Sequence, residues 1–187
     1  MKAVLISIKP KWCEFIASGK KTVEVRKTKP KIDVPFKCYI YCTMGKLPKY
    51  IYNENLEKES IYAKHPDIIN GKVIGEFVCD RIDEIYQCNS GWVEENACIS
   101  KDEFFDYLGI PRGAHMGYDK KAYAWHISNL VIYDKPKELF EFLNYKKYQV
   151  CKERDCFSDN CWICPNNALV VRPPQSWCCV EELKSET

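Results

Sequence analysis

Over the first 27 residues the hydrophobic pattern changes period twice, and a proline and a glycine mark the changes. Residues 3–8, AVLISI, form an unbroken apolar run with the length of a buried strand. Pro10 suits the first turn of a helix, where its missing N–H would lack a partner anyway. Trp12, Phe15 and Ile16 follow at i, i+3 and i+4, one apolar stripe of a helix. Gly19 is placed to end that helix in a left-handed conformation. From Thr22 the period drops to two: Val23 and Val25 point one way, while Thr22, Glu24 and Arg26 point the other. Connections this short leave no room for the crossovers of a regular parallel sheet.

The rest of the chain continues in the same manner. FKCYIYCT reads as a strand, KVIGEFVCDRIDEIY as a long strand in which Gly75 marks a bulge, and YAWHISNLVIYD as another. SKDEFFDYLG carries a capping box, with Ser100 as N-cap, Glu103 at the reciprocal position and Gly109 as stop. KPKELFEFL predicts a short helix with Pro136 near its start, and SWCCVEEL a last strand. Residues 44–70 are polar and read as an irregular excursion. The pattern predicts an α+β fold, a small mixed β-barrel with short flanking helices, as a single domain over 1–187.

Charge narrows the partner. The formal net charge is +2, yet residues 1–50 hold twelve lysines and arginines against three acids, and the remainder is correspondingly acidic. Such asymmetry predicts a local anionic partner rather than a diffuse polycation. No apolar run approaches the ~20 residues of a membrane span. The N-terminal apolar run is too short for a signal peptide core, and this predicts a cytoplasmic protein. In a reducing compartment the twelve cysteines are core residues or metal ligands. Cys13, Cys38, Cys42, Cys79, Cys88 and Cys98 are scattered and read as small buried hydrophobes.

SGKKTVEVRK, residues 18–27, concentrates the candidate chemistry. In a regular strand Lys21 would fall on the valine side; it meets Glu24 only if it sits in a turn after Gly19. Arg26 then offers a fork for phosphate or carboxylate, Glu24 accepts protons or orients the lysine, and Lys21 is a candidate base, nucleophile or anion contact. The plain alternative is a Glu24–Arg26 ion pair beside a solvated lysine cluster. Trp12, Trp125 and Trp177 are candidate stacking surfaces for bases, although the helical stripe of Trp12 points to the core. His126 and His115 are further candidates for acid–base or cleft-edge roles.

SIKPKWCEFIASGKKTVEVRK resembles the signature of the ASCH family of the PUA-like superfamily, bacterial and phage type: an S-I-x-P strand end, an amphipathic helix, then G-x-K-x-x-E-x-R. Gly19, Lys21, Glu24 and Arg26 fill the last pattern. GKVIGEFVCDRI, YAWHISNLVIYDKPKEL and RPPQSWCCVEEL extend the resemblance over most of the chain. It implies a cleft beside the first helix, basic at the junction of helix and strand, that binds RNA or a nucleotide. Ser7, Lys9, Lys20, Lys21, Thr22, Glu24 and Arg26 would be its ligand-binding residues. Some members are similar to amidohydrolases that deacetylate N4-acetylcytidine with a Lys, a Thr and a Glu, and others to ribonucleases. Lys21 matches the Lys, and Glu24 stands where the Thr would be, a departure from the amidohydrolase pattern. Glu24 is thus the second catalytic candidate, while Glu76 and Glu94 are candidates for the Glu without a matching motif. A nucleotide-binding domain, a small hydrolase and a purely structural interaction domain remain the three readings.

CKERDCFSDNCWIC places Cys151, Cys156, Cys161 and Cys164 at C-x4-C-x4-C-x2-C. A C-x2-C knuckle and two flanking thiolates can converge on a tetrahedral ion, so this spacing predicts a structural zinc stapling an insertion at 150–166. An iron–sulfur centre is the alternative.

Overall fold

The computed structural model describes residues 1–45, 69–111, 120–153 and 168–183, with the backbone alone for 151–153. Residues 46–68 of the predicted excursion 44–70, and residues 112–119 with His115, lie outside these residues. The first strand, β1, runs Lys2–Ile8 and is buried on both faces, which is why its sequence is apolar without alternation. Helix α1 follows at Pro10–Ala17 with the proline in its first turn, and Gly19 beyond it has φ +72°. Strand β2 is Val23–Arg26, β3 is Phe36–Cys42, β4 is Val73–Cys79 and β5 is Ile82–Tyr86. Helices α2 (Ser90–Ala97) and α3 (Lys101–Leu108) precede β6 (Lys121–His126) and β7 (Ser128–Lys137). Helix α4 (Tyr145–Glu153) and β8 (Trp177–Glu181) complete the order.

These strands form two sheets, β7-β4-β3-β1-β8 and β2-β6-β5. All neighbours are antiparallel except β1 and β3, whose crossover contains α1 and β2. Among the described residues neither sheet closes into a barrel. What joins them is one bent ribbon. The predicted long strand 72–86 breaks at Asp80–Arg81, and its partner breaks at Ile127. Yet Gly75 pairs with Ile132 and Tyr86 with Lys121 in one register, interrupted by a single-residue shift at Val78. Two expected strands are therefore four half-strands shared between sheets, because the ribbon turns from the core of the large sheet to the cluster with α2 and α3.

Three apolar clusters follow. One face of the large sheet packs α1 through Cys13 and Ile16, together with Phe77 and Trp125. Its other face, which includes Leu5, Tyr39 and Val180, is covered by Phe142 and Val170. The small sheet lays Val23, Val25, Ala122 and Ala124 on Val93, Ala97, Phe104 and Leu108 of α2 and α3. Cys13, Cys38, Cys42 and Cys79 lie in the first cluster, and burial pushes the Cys79 thiol up to about 12. Cys88 is exposed and Cys98 half-buried, so the core reading of these two does not hold.

The capping box of Ser100 and Glu103 and the left-handed Gly109 close α3 at its two ends. The predicted helix at 135–143 is replaced by the end of β7, which includes Pro136, and a single 3-10 turn at Leu139–Glu141. Pro136 sits there on an edge strand, where no ladder N–H is demanded. Among the described residues no helix is long and apolar enough to cross a membrane.

Register shifts flank Gly75 against both β3 and β7. A Cβ at Gly75 would stand 2.3 Å from the carbonyl oxygen of Val131 and 3.1 Å from Ile132 Cα. The obstruction is backbone, which cannot swing aside, so Gly75→Ala is expected to cost about 1–3 kcal/mol in denaturant unfolding.

Candidate functional site

The left-handed Gly19 lets the chain double back before β2 begins. The N–H of Lys21 bonds the carbonyl of Phe15 at 2.9 Å, and that of Thr22 bonds Asn96 at 2.9 Å. Lys21 is thereby withdrawn from the strand and swings to the side of Glu24 rather than of the valines. Thr22 also precedes the strand: it is exposed, and its hydroxyl donates to the carbonyl of Asn96 rather than facing Glu24 and Arg26.

Lys21, Glu24 and Arg26 form a buried ionic triad. Their residues are 2%, 6% and 9% exposed. Glu24 Oε1 lies 2.9 Å from Arg26 Nη2, and Glu24 Oε2 lies 3.3 Å from Lys21 Nζ. Lys21 Nζ also donates to the carbonyl of Ala97 at 2.8 Å and sits 5.3 Å from the ring centre of Trp12. With a carbonyl, a carboxylate and a ring face around it, the nitrogen has the surroundings of a donor. Arg26 Nη2 further donates to the carbonyl of Ser7 at 2.6 Å, and Nη1 to Ser176 Oγ at 3.4 Å. Buried charges are tolerated only when paired and hydrogen-bonded in this manner.

The triad lies at one side of a cavity of about 780 Å³. Ser7, Ile8, Lys9 and Trp12 line it from the β1–α1 junction, and Pro173, Pro174 and Gln175 from a strap before β8. Ser7 fixes that strap: its N–H bonds the carbonyl of Ser176 at 2.9 Å and its hydroxyl that of Pro174 at 2.6 Å. Glu103, Asp106 and Tyr107 of α3 supply a further wall. Lys11 bridges to Glu103 at 3.0 Å and holds its carboxyl below the usual range, with help from the Ser100 N–H. Burial raises the Tyr107 phenol above its ordinary value.

Of the sequence candidates, Ser7, Lys9, Lys21, Glu24 and Arg26 meet in this cavity. Lys20 is exposed and, like Thr22, does not line it. The cleft is not simply basic: Lys9, Lys21 and Arg26 face Glu24, Glu103 and Asp106. Glu76 is elsewhere, tied to Lys37 at 2.9 Å and accepting from Tyr133 at 2.6 Å. Glu94 is exposed on α2.

Trp12 packs against the first cluster, as its stripe predicts, and also reaches the cavity. Trp125 is wholly buried against Phe36 and Trp177, whereas Trp12 is half-buried on the cavity wall with Lys11 Nζ 4.3 Å from its ring. His126 pairs with Asp83 at 2.7 Å at the ribbon bend, outside the cavity. Cys151 falls in α4, and Cys156, Cys161 and Cys164 lie outside the described residues; among those residues no cluster fit for a metal is present. The wall from α3 went unread because its capping box explains 100–109 without a ligand, although 103, 106 and 107 share a helical face.

No protein-family model matches the sequence, and no curated protein matches it. Solved structures do. The chain is similar to the ASCH protein of Zymomonas mobilis, with 22% identity, a TM-score of 0.51, and coverage of 98% of this chain and 89% of that one. Two single-substitution mutants of that protein give 21% identity with a TM-score of 0.53, and 20% with 0.52. The first of these matches covers 100% of this chain and 93% of that one. The likeness shows an ASCH-like fold; activity does not follow from it.

Removing the carboxylate strands two buried cations. Glu24→Ala is therefore expected to cost about 3–5 kcal/mol in urea unfolding. Lys20→Ala, at an exposed position, should stay within about 0.5 kcal/mol.

Proposed function

We propose that the protein binds a nucleoside or nucleotide, free or within RNA, in the cavity beside the Lys21–Glu24–Arg26 triad. The lining supports this reading most directly. A wall of three basic and three acidic side chains with two aromatic rings, Trp12 and Tyr107, suits a polar heterocycle better than a polyanion laid along a groove. Phosphate would be met at the mouth, where Lys9 is exposed, and where Lys11 and Lys27 lie over the Trp12 and Tyr107 rings. The ASCH-like fold and the Gly19–Arg26 pattern point the same way. The bent ribbon supports reading the two sheets as halves of a small barrel.

A second reading, a small hydrolase acting on a modified nucleoside or on RNA, is favoured by one contact. Glu24 and Lys21 meet at 3.3 Å on the cavity wall, where a carboxylate can orient a water and an ammonium can polarise a carbonyl. The Thr position of the amidohydrolase pattern is Glu24 itself, so the carboxylate would have to serve two roles.

One panel tests both readings: the four ribonucleoside 5′-monophosphates, their nucleosides, N4-acetylcytidine and a short single-stranded RNA. Binding of a monophosphate is expected, weakened on the order of tenfold by Arg26→Ala, with Lys9→Ala affecting the monophosphate and sparing its nucleoside. Absence of binding across the panel removes the reading. Release of cytidine from N4-acetylcytidine, or RNA cleavage, lost on Lys21→Ala and on Glu24→Gln, would establish the hydrolase instead.

Structural zinc at Cys151, Cys156, Cys161 and Cys164 is proposed from their spacing alone. Protein purified without added zinc should carry about one equivalent by elemental analysis, and less than about a tenth of one would dismiss it.

A further inference from the structure

Tyr107 stands on the cavity wall with its hydrogen-bonding capacity half used. Its oxygen accepts the backbone N–H of Lys27 at 3.1 Å, immediately after β2. Among the described residues that is the hydrogen bond the phenol makes, and it makes it as an acceptor. A phenol that accepts still has its own proton to donate. The ring is held in place on the cavity wall. It is anchored in α3, its oxygen is tied to β2, and Lys27 Nζ lies 5.0 Å from its ring centre.

The opposing groups complement this donor. Glu24 has both oxygens engaged by Lys21 and Arg26, and those cations direct donors to Glu24, Ala97, Ser7 and Ser176, leaving Arg26 Nε buried without a partner. The triad is largely self-satisfied. Tyr107 is thus a neutral polar donor in the wall whose proton is uncommitted within the fold, beside the unpaired Arg26 Nε and the exposed Lys9. Burial, the first cause, and the Glu24 charge keep the phenol protonated, while Arg26 and the Lys27 N–H act in the opposite direction.

We propose that Tyr107 is a specificity-determining residue of this cavity, donating a hydrogen bond to an oxygen acceptor on the bound nucleoside or nucleotide. This inference rests on the nucleotide reading given above and adds the group that selects among ligands. A ligand with a carbonyl or phosphate oxygen opposite Tyr107 is favoured. One that presents an N–H there meets a donor and is rejected.

The test uses the full chain with the four ribonucleoside 5′-monophosphates as probes. Tyr107→Phe keeps the ring and removes the donor, and the exposed Lys27 N–H can turn to water. Affinity for the best-bound monophosphate is expected to fall about fivefold to tenfold, with thermal unfolding recorded alongside. A second protein carries 3,5-difluorotyrosine at 107, which retains the shape and ionises nearer neutrality. Its affinity should drop between about pH 6 and 9, while the unmodified protein holds, because an ionised phenol has no proton to give. Arg26, Glu24, Glu103, Asp106 and Lys27 are shared by both proteins and cancel in the comparison. Tyr107→Phe within twofold of the parent, with superimposable pH profiles, overturns the role of Tyr107 and leaves the nucleotide reading standing. Failure of the parent protein to bind any monophosphate overturns both.

Discussion

The carboxylate of Glu24 holds the cavity wall together. It lies between two buried cations, and each cation carries the connection onward to a different part of the chain. Through Lys21 it reaches the carbonyl of Ala97 at the end of α2; through Arg26 it reaches Ser7 at the end of β1 and Ser176 in the strap. Three charges this deep are stable only together, since any one left alone would bear the full cost of its lost hydration. The same contacts that satisfy the charges therefore position the helix, the strand and the strap around the cavity.

That arrangement depends on two backbone devices. The left-handed turn at Gly19 removes Lys21 from the alternation of β2, so that an odd-numbered residue can join even-numbered Glu24 and Arg26. The bent ribbon of β4–β5 and β6–β7 sets the small sheet against the large one, with Gly75 allowing β7 to approach β4 closely. The valine face of β2 goes to the cluster with α2 and α3, while its charged face lines the cavity. A surface strand would have left these charges in water; here the fold covers them.

Charge distribution separates two scales of recognition. The excess of lysine in the first 50 residues is real, but much of it lies at exposed positions, including Lys9, Lys11, Lys20, Lys27, Lys29 and Lys31. Inside the cavity, bases and acids balance. A lysine-rich exterior can attract an anion at long range, and the balanced interior then selects by hydrogen bonding and shape.

Several local signals of this sequence were reliable, although Pro136 marked no helix and lies in β7. Pro10, Gly19, Ser100 with Glu103, and Gly109 mark helix ends that occur as their chemistry predicts. The Gly19-to-Arg26 spacing likewise names the three residues of the triad. Periodicity could not show that two long strands bend, because alternation continues across the corner where the ribbon passes from the large sheet to the small one. It left the burial of Trp125 undecided, and it placed Trp12 on the core without showing that the residue also lines the cavity. Glu103, Asp106 and Tyr107 became part of the site only when α3 was brought against β2 by the apolar contacts of Phe104 and Leu108. The sequence by itself determined which charges could meet; long-range packing decided that they would meet out of water, and what would stand opposite them.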